Sequence, residues 1–363
     1  TDVAVFVNGQ LAFFNDCSDY KHYKMFDEID ISKYLKEKNN EIIFDVYYAG
    51  VDSQRYIKDD PGLLYELLCD DKVIDYSSNT TLARPLSNYR FNYQKLISFQ
   101  LGFSFKFDKT IKLGNYYQAV EINKSHPMYK RNIQPLVLNE REDIEITYVD
   151  DHYLIDLKKE MAGFIDLDFI SDEEQEILIA YGEHIKDGKV RMNLGSRNFS
   201  IEYVACKGIN KYKNYFRRIA GRYLEVYCKN NLKINYIGIR NVFYPTVTNI
   251  YDFNDKLLND IYKICLDTLK LCMHEHYEDC PWREQDLYTM DSRNQMLYHY
   301  YAFKNPEAIK SSLILASQDN REDGIFTITM PANELKIFYE EDDSSGMNIT
   351  YFGNVSKFYI MIK

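Results

Sequence analysis

Apolar and polar residues alternate in short runs through the first two thirds of the chain, and the period changes only near the last third. Val3 to Phe14 reads as strand, turn, strand, with Asn8-Gly9 supplying the two left-handed positions of a tight hairpin. Further apolar runs cover Glu41 to Tyr48, Gly62 to Leu68, Lys72 to Tyr76 and Leu96 to Phe107, each bounded by Asp, Asn, Ser or Pro. Strands of this length and spacing predict a first β-sandwich over residues 1–115.

A turn-rich passage with His126-Pro127 follows, and the same style then resumes. Ile144 to Val149, Tyr153 to Leu157, Gly163 to Phe169, Ile177 to Tyr181, Lys189 to Leu194, Phe199 to Val204, Arg222 to Tyr227 and Ile234 to Tyr244 are strand-like, and Lys186-Asp187-Gly188 marks a hairpin. They predict a second all-β sandwich over 116–248.

After Asn249 the period lengthens. Leu257, Ile261, Ile264, Cys265, Thr268, Leu269 and Cys272 recur at helical spacing, which predicts an amphipathic helix of about five turns with Asn254 as N-cap, broken by Pro281. Met290 to Phe303 and Pro306 to Gln318 predict two more helices. The rest of 249–363 is expected to be helical, ending in the apolar run Phe358-Tyr359-Ile360-Met361-Ile362, for which a short terminal strand is the alternative. The fold expected is multidomain: two all-β sandwiches, then an all-α region.

Composition narrows the function. An apolar fraction of 45% allows a sizeable core, and a net charge of −11 argues against nucleic acid or anionic lipid as partner. No run of 18 apolar residues offers a bilayer span. The seven cysteines form no close CxxC pair, so neither a disulfide framework nor a zinc ribbon is expected. With no basic-then-apolar leader in residues 1–20, the expected compartment is the cytoplasm, although a trimmed N-terminus would read the same way.

The densest polar cluster is His274 to Arg293. His274 and His276 are two apart, on opposite sides of a helix, and with Cys280 they match no metal-ligand pattern, so no metal is expected. Acidic neighbours disfavour a reactive Cys280 thiolate. The acidic turns at 319–324 and 342–346 lack the Glu an EF-hand needs at its twelfth position. Paired carboxylates fit best: Asp279, Glu284, Asp286 and Asp291 could supply the acid and base of glycoside hydrolysis, and Trp282, Tyr277 and Tyr288 apolar faces for a sugar. A merely solvated acidic surface is the plain alternative.

Asp279-Cys280-Pro281-Trp282-Arg283-Glu284, followed by Asp291-Ser292-Arg293-Asn294-Gln295, resembles the DCPxRE...GDxxxQ signature of bacterial α-L-rhamnosidases, glycoside hydrolase family 78. Tyr153 to Leu157 with Gly163, and Phe216-Arg217-Arg218 to Glu225-Val226, are similar to the family's flanking segments. Val7-Asn8-Gly9, Asp30 to Leu35 and Asn39 to Ile42 resemble its N-terminal sandwich, which could itself bind carbohydrate. The resemblance implies β-sandwiches before an (α/α)6 six-hairpin barrel, and inverting hydrolysis of terminal α-L-rhamnose from a glycoside or polysaccharide without a cofactor. It implies Glu284 as general acid, with Asp279 and Asp291 holding rhamnose hydroxyls; Arg283 is expected to orient Glu284, and Trp282 to stack on the sugar. Met290 stands where the family often has Gly. Only 79 residues follow Glu284, too few to close a twelve-helix barrel, so the general base is expected to lie beyond this front part, with no spacing to support Glu334, Glu340 or Glu341 as substitutes. Incomplete helix packing would expose apolar faces able to pair between copies. Two rivals remain: a carbohydrate-binding protein without turnover, and a six-hairpin hydrolase of another sugar.

Overall fold

The computed structural model describes residues 2–16, 19–90, 93, 95–122, 124, 126–131, 133–319 and 327–332, together with the backbone of 359–362. The acidic turn at 342–346, most of that at 319–324, and Glu334, Glu340 and Glu341 lie outside them.

Strands Asp2–Val7 and Gln10–Phe14 form the expected hairpin, turned by Asn8 at φ 52° and Gly9 at φ 79°. Strand Ile42–Tyr47 pairs along its other edge. Alternation gives the hairpin two buried faces. Val3, Val5 and Val7 pack with Phe13, Ile29 and Ile31 inside the N-terminal unit, whereas Ala4 and Phe14 join Phe164, Tyr244, Leu269 and Tyr277 in a second core. Across the first core lies a five-stranded sheet in the order Met128–Lys130, Lys24–Ile29, Tyr359–Ile362, Leu64–Cys69, Lys72–Tyr76. The terminal apolar run is therefore strand and not helix: it fills the gap between two strand edges and is parallel to both.

The larger sandwich is organised by one strand, His152–Ser171. Its first half pairs with Glu145–Val149 and Ile219–Cys228, and its second with Gly208–Lys213 and Leu232–Phe243. The register shifts between Asp156 and Met161, where Lys158 takes φ 69°, so a single strand passes from one layer to the other and the two runs read in the sequence are continuous. Ile155, Leu167, Phe169, Ile179, Ile201 and Ile239 fill the space between the layers.

The division near residue 115 is not the one observed. Strand Lys106–Asp108 joins the larger sandwich beside Ser200–Ala205, while Met128–Lys130 returns to the N-terminal unit beside Lys24–Ile29. The pattern of short strands is alike in both units, so periodicity alone does not assign a strand to a sheet.

Among the described residues three α-helices follow: α1 (Lys256–Leu271), α2 (Thr289–Ala302) and α3 (Glu307–Ser317). Asp255, not Asn254, caps α1: its carboxylate accepts the Leu258 N–H at 3.1 Å, whereas Asn254 sits at φ 53°. Much of the α1 stripe stays open, with Leu257 67% and Ile264 65% exposed. Among the described residues no helix is long and apolar enough to cross a membrane.

Gly163 marks where the long strand crosses closest to its neighbour. A Cβ there would fall on the Arg240 carbonyl and 3.0 Å from Asn241 Cα, so a Gly163→Ala variant is expected to lose about 2 kcal/mol or more, read as a lower denaturant midpoint at unchanged slope.

Candidate active site

Helix α1 ends at Leu271, well before Pro281, because the chain already turns back at Cys272, whose N–H reaches the Thr268 and Leu269 carbonyls. The loop from Cys272 to α2 is shaped by side chains. Residues 279–286 close on themselves: the Asp279 N–H donates to the Asp286 carbonyl at 3.0 Å, and the Asp286 N–H to Asp279 Oδ1 at 3.0 Å. Gln285, directly after Glu284, is held at φ 61°, an uncommon conformation for a residue with a Cβ. Its side chain is fixed by three partners: it accepts from Arg55 and donates to the carbonyls of Pro281 and Arg218.

Beneath this turn lies a buried charge network. Arg218 donates from Nε to Asp16 at 2.9 Å and bidentately to Glu278, and Arg55 donates to the other Asp16 oxygen at 2.7 Å. Against the opposing effect of burial, the two guanidiniums hold the Asp16 carboxyl below its usual range, and Arg218 with His274 and His276 lowers Glu278 to about 2. Glu275 faces Arg131 at 2.8 Å and accepts the Asp16 N–H, and Arg131 also grips Asp27. His274 has Glu278 Oε1 at 3.0 Å on one ring nitrogen and the Val242 carbonyl at 3.1 Å on the other, so neither is left for a metal. Among the described residues no group of three or more His, Cys, Asp or Glu converges on a metal position. Burial and Asp279 push the Cys280 thiol up to about 12, far from a thiolate nucleophile.

Glu284 sits above the network. Its side chain is 16% exposed; Oε2 accepts from the Tyr288 hydroxyl at 2.7 Å, and Arg197 stands 3.3 Å from Oε1. Arg197 comes from the separate strand pair Asn193–Leu194 and Arg197–Asn198, in the connection between strands Gln175–Gly182 and Ser200–Ala205. Asp279 is near enough to interact with Glu284, and burial raises its carboxyl to about 6. Asp286 is fully buried with no partner for either oxygen, and burial lifts its carboxyl well above the usual range.

The remaining expected residues lie differently. Trp282 is only 2% exposed and packs on Phe199, with ring centroids 4.5 Å apart, in the core of the larger sandwich; it plugs the loop into that core and has no face for a sugar. Arg283 makes no pair with Glu284 and instead lies near Glu183; the cation at Glu284 is Arg197. Asp291 is exposed in the first turn of α2 and has no hydrogen bond to the loop carboxylates. The motif's Gln295 ties α2 to the loop by donating to the Glu278 carbonyl at 2.6 Å. Arg197, Gln54, Asp16 and Arg55 carry no local sequence signal, and Arg218 and Glu278, though in segments the sequence singles out, cannot be paired from it, because the partners are distant in the chain.

A model of the bacterial α-L-rhamnosidase six-hairpin glycosidase domain matches residues 248–346, and a model of the concanavalin-like domain of the same proteins matches 146–238. No curated protein matches the chain. Among solved structures, the family 78 rhamnosidase of Bacillus sp. GL1 is similar at 13% identity and a TM-score of 0.79, covering 92% of this chain and 60% of that one. The α-L-rhamnosidase of Dictyoglumus thermophilum is similar at 17% identity and a TM-score of 0.65, covering 91% of this chain and 40% of that one. The Streptomyces avermitilis α-L-rhamnosidase complexed with L-rhamnose is similar at 14% identity and a TM-score of 0.66, covering 92% and 35%. This chain thus spans 60% or less of the length of these structures.

The raised Asp279 carboxyl has a consequence for stability. Between the ordinary value of 3.8 and about 6 the unfolded chain ionises at this position while the folded chain keeps its proton, so stability falls as pH rises through that window. Asp279→Asn keeps an acceptor for the Asp286 N–H and removes this loss. Its unfolding midpoint is expected to exceed that of the parent at pH about 8 and to converge with it near pH 4.

Proposed function

Since this chain belongs to the bacterial α-L-rhamnosidases, whose two domain models together match more than half of it, we propose that it carries the acid side of a site that removes terminal α-L-rhamnose from glycosides or polysaccharides. The observation that carries this reading is the placement of Glu284: a partly open carboxyl on a closed turn, held by one hydroxyl and one guanidinium beside Asp279. A general acid needs this combination of fixed direction and access to the leaving oxygen.

In this mechanism Glu284 gives its proton to the glycosidic oxygen as the bond to the sugar breaks. Tyr288 and Arg197 keep the carboxyl aimed and then stabilise the carboxylate that remains, the first as a hydrogen-bond donor and the second as a nearby positive charge. Asp279 and Asp291 bind sugar hydroxyls, Asp279 from the turn and Asp291 from the open first turn of α2; Arg283 lies on the same turn, within reach of a substrate group. The reaction proceeds with inversion, and the carboxylate that activates water comes from beyond the described residues. The three-part organisation, with β units in front of an incomplete helical barrel, belongs to the same proposal.

Hydrolysis of a chromogenic α-L-rhamnoside by this chain, and by the chain extended through the rest of its gene, tests the reading. Turnover is expected in the extended form, and Glu284→Gln is expected to lower it by a factor of about 10²–10⁴ while rhamnose still binds. Unchanged turnover in that variant overturns the acid, and sugar binding without turnover in either form supports a binding protein.

A further inference from the structure

The Tyr288 hydroxyl faces two acceptors and has one hydrogen to give. Glu284 Oε2 lies 2.7 Å away and Gln54 Oε1 3.2 Å away. Gln54 belongs to the N-terminal unit and is buried, and its position is fixed by its neighbour Arg55, which is bonded to Asp16 and Gln285. Burial and the Glu284 carboxylate keep the Tyr288 phenol protonated throughout the working range.

From this three-atom arrangement we infer that Gln54 is a positioning residue that holds the proton on Glu284, acting through Tyr288. When Glu284 is ionised, the phenol gives its one hydrogen to the carboxylate and Gln54 Oε1, 3.2 Å away, is left without it. When Glu284 carries its proton, it becomes the donor: its O–H gives to the Tyr288 oxygen, whose own hydrogen turns to Gln54 Oε1. One proton enters the carboxyl and one hydrogen bond changes direction, so nothing else needs to move. Gln54 therefore receives the phenol's hydrogen only when Glu284 carries its own proton; Arg197 faces the same carboxyl from the other oxygen. The other groups facing Glu284 are Asp279 and Asp286 of its own turn, both carboxyls that disfavour a second negative charge.

The meaning of this relay for turnover rests on Glu284 being the general acid; the relay itself does not. The test is a pH titration of the Glu284 side-chain carboxyl by carbon NMR in protein labelled at glutamate, with the signal assigned by its loss in Glu284→Gln. Gln54→Met keeps the length and shape of the side chain without the carbonyl, and the fluorescence of the single Trp282 reports that the loop is still docked. The midpoint is expected to move to lower pH by about one unit, a tenfold change in proton affinity. In a Tyr288→Phe background the same Gln54 change is expected to have no effect, because the link is gone. An unmoved midpoint, a move to higher pH, or an equal shift in the Tyr288→Phe background overturns the inference. A shifted midpoint in a chain that, extended or not, cleaves no rhamnoside leaves the relay standing and removes the rhamnosidase reading. Turnover with an unmoved midpoint does the reverse.

Discussion

The guanidinium of Arg218 is the point on which the rest of the structure depends. It enters from the turn before strand Ile219–Cys228 of the larger sandwich, is 3% exposed, and spends its donors on Asp16 of the N-terminal unit and Glu278 of the helical region. With Arg55 on the other side of Asp16, two positive and two negative groups lie buried in balance. Such a set adds little over an apolar core of the same volume, yet losing one member leaves an uncompensated charge and costs about 3–5 kcal/mol. Its contribution is geometric: the charges match only when the three units meet in one arrangement. That arrangement fixes Gln285 in its left-handed conformation and so sets the direction of Glu284.

The site is accordingly composite. Glu284 comes from the loop between α1 and α2, its cation from the strand pair Asn193–Leu194 and Arg197–Asn198, and the acceptor behind its hydroxyl partner from the N-terminal unit. The β units are thus part of the surroundings of Glu284 as well as its support. Burial of Asp279 and Asp286 costs stability at neutral pH, the usual sign that local stability has been given up for chemistry.

What the sequence revealed followed from local rules. The hairpin at Asn8-Gly9 and the three helices lie close to where turn chemistry and helical period place them, since each depends on neighbours a few residues away. The loop motif singles out residues 279–295, but the contacts made within that stretch run across long separations in the chain. Trp282 reads as an exposed aromatic until Phe199 and the sandwich core are seen around it. Arg283 is the cation next to Glu284 in sequence, and Arg197 is the one next to it in space. Arg218 stands 60 residues from Glu278 and 202 from Asp16, so no spacing rule could pair them. The strand Lys106–Asp108 pairs with Ser200–Ala205 and not with its neighbours in sequence for the same reason: alternation identifies a strand and leaves its partner open.

The most direct test of Arg218 as the joint between units is a double-mutant cycle with Arg218→Met and Glu278→Leu, followed by Trp282 fluorescence and far-ultraviolet circular dichroism during denaturant unfolding. Each single change is expected to cost about 3–5 kcal/mol, and the pair together less than their sum by about 2 kcal/mol or more, with both signals lost in one transition. Additive losses, or a loop signal that disappears before the β structure does, would contradict it.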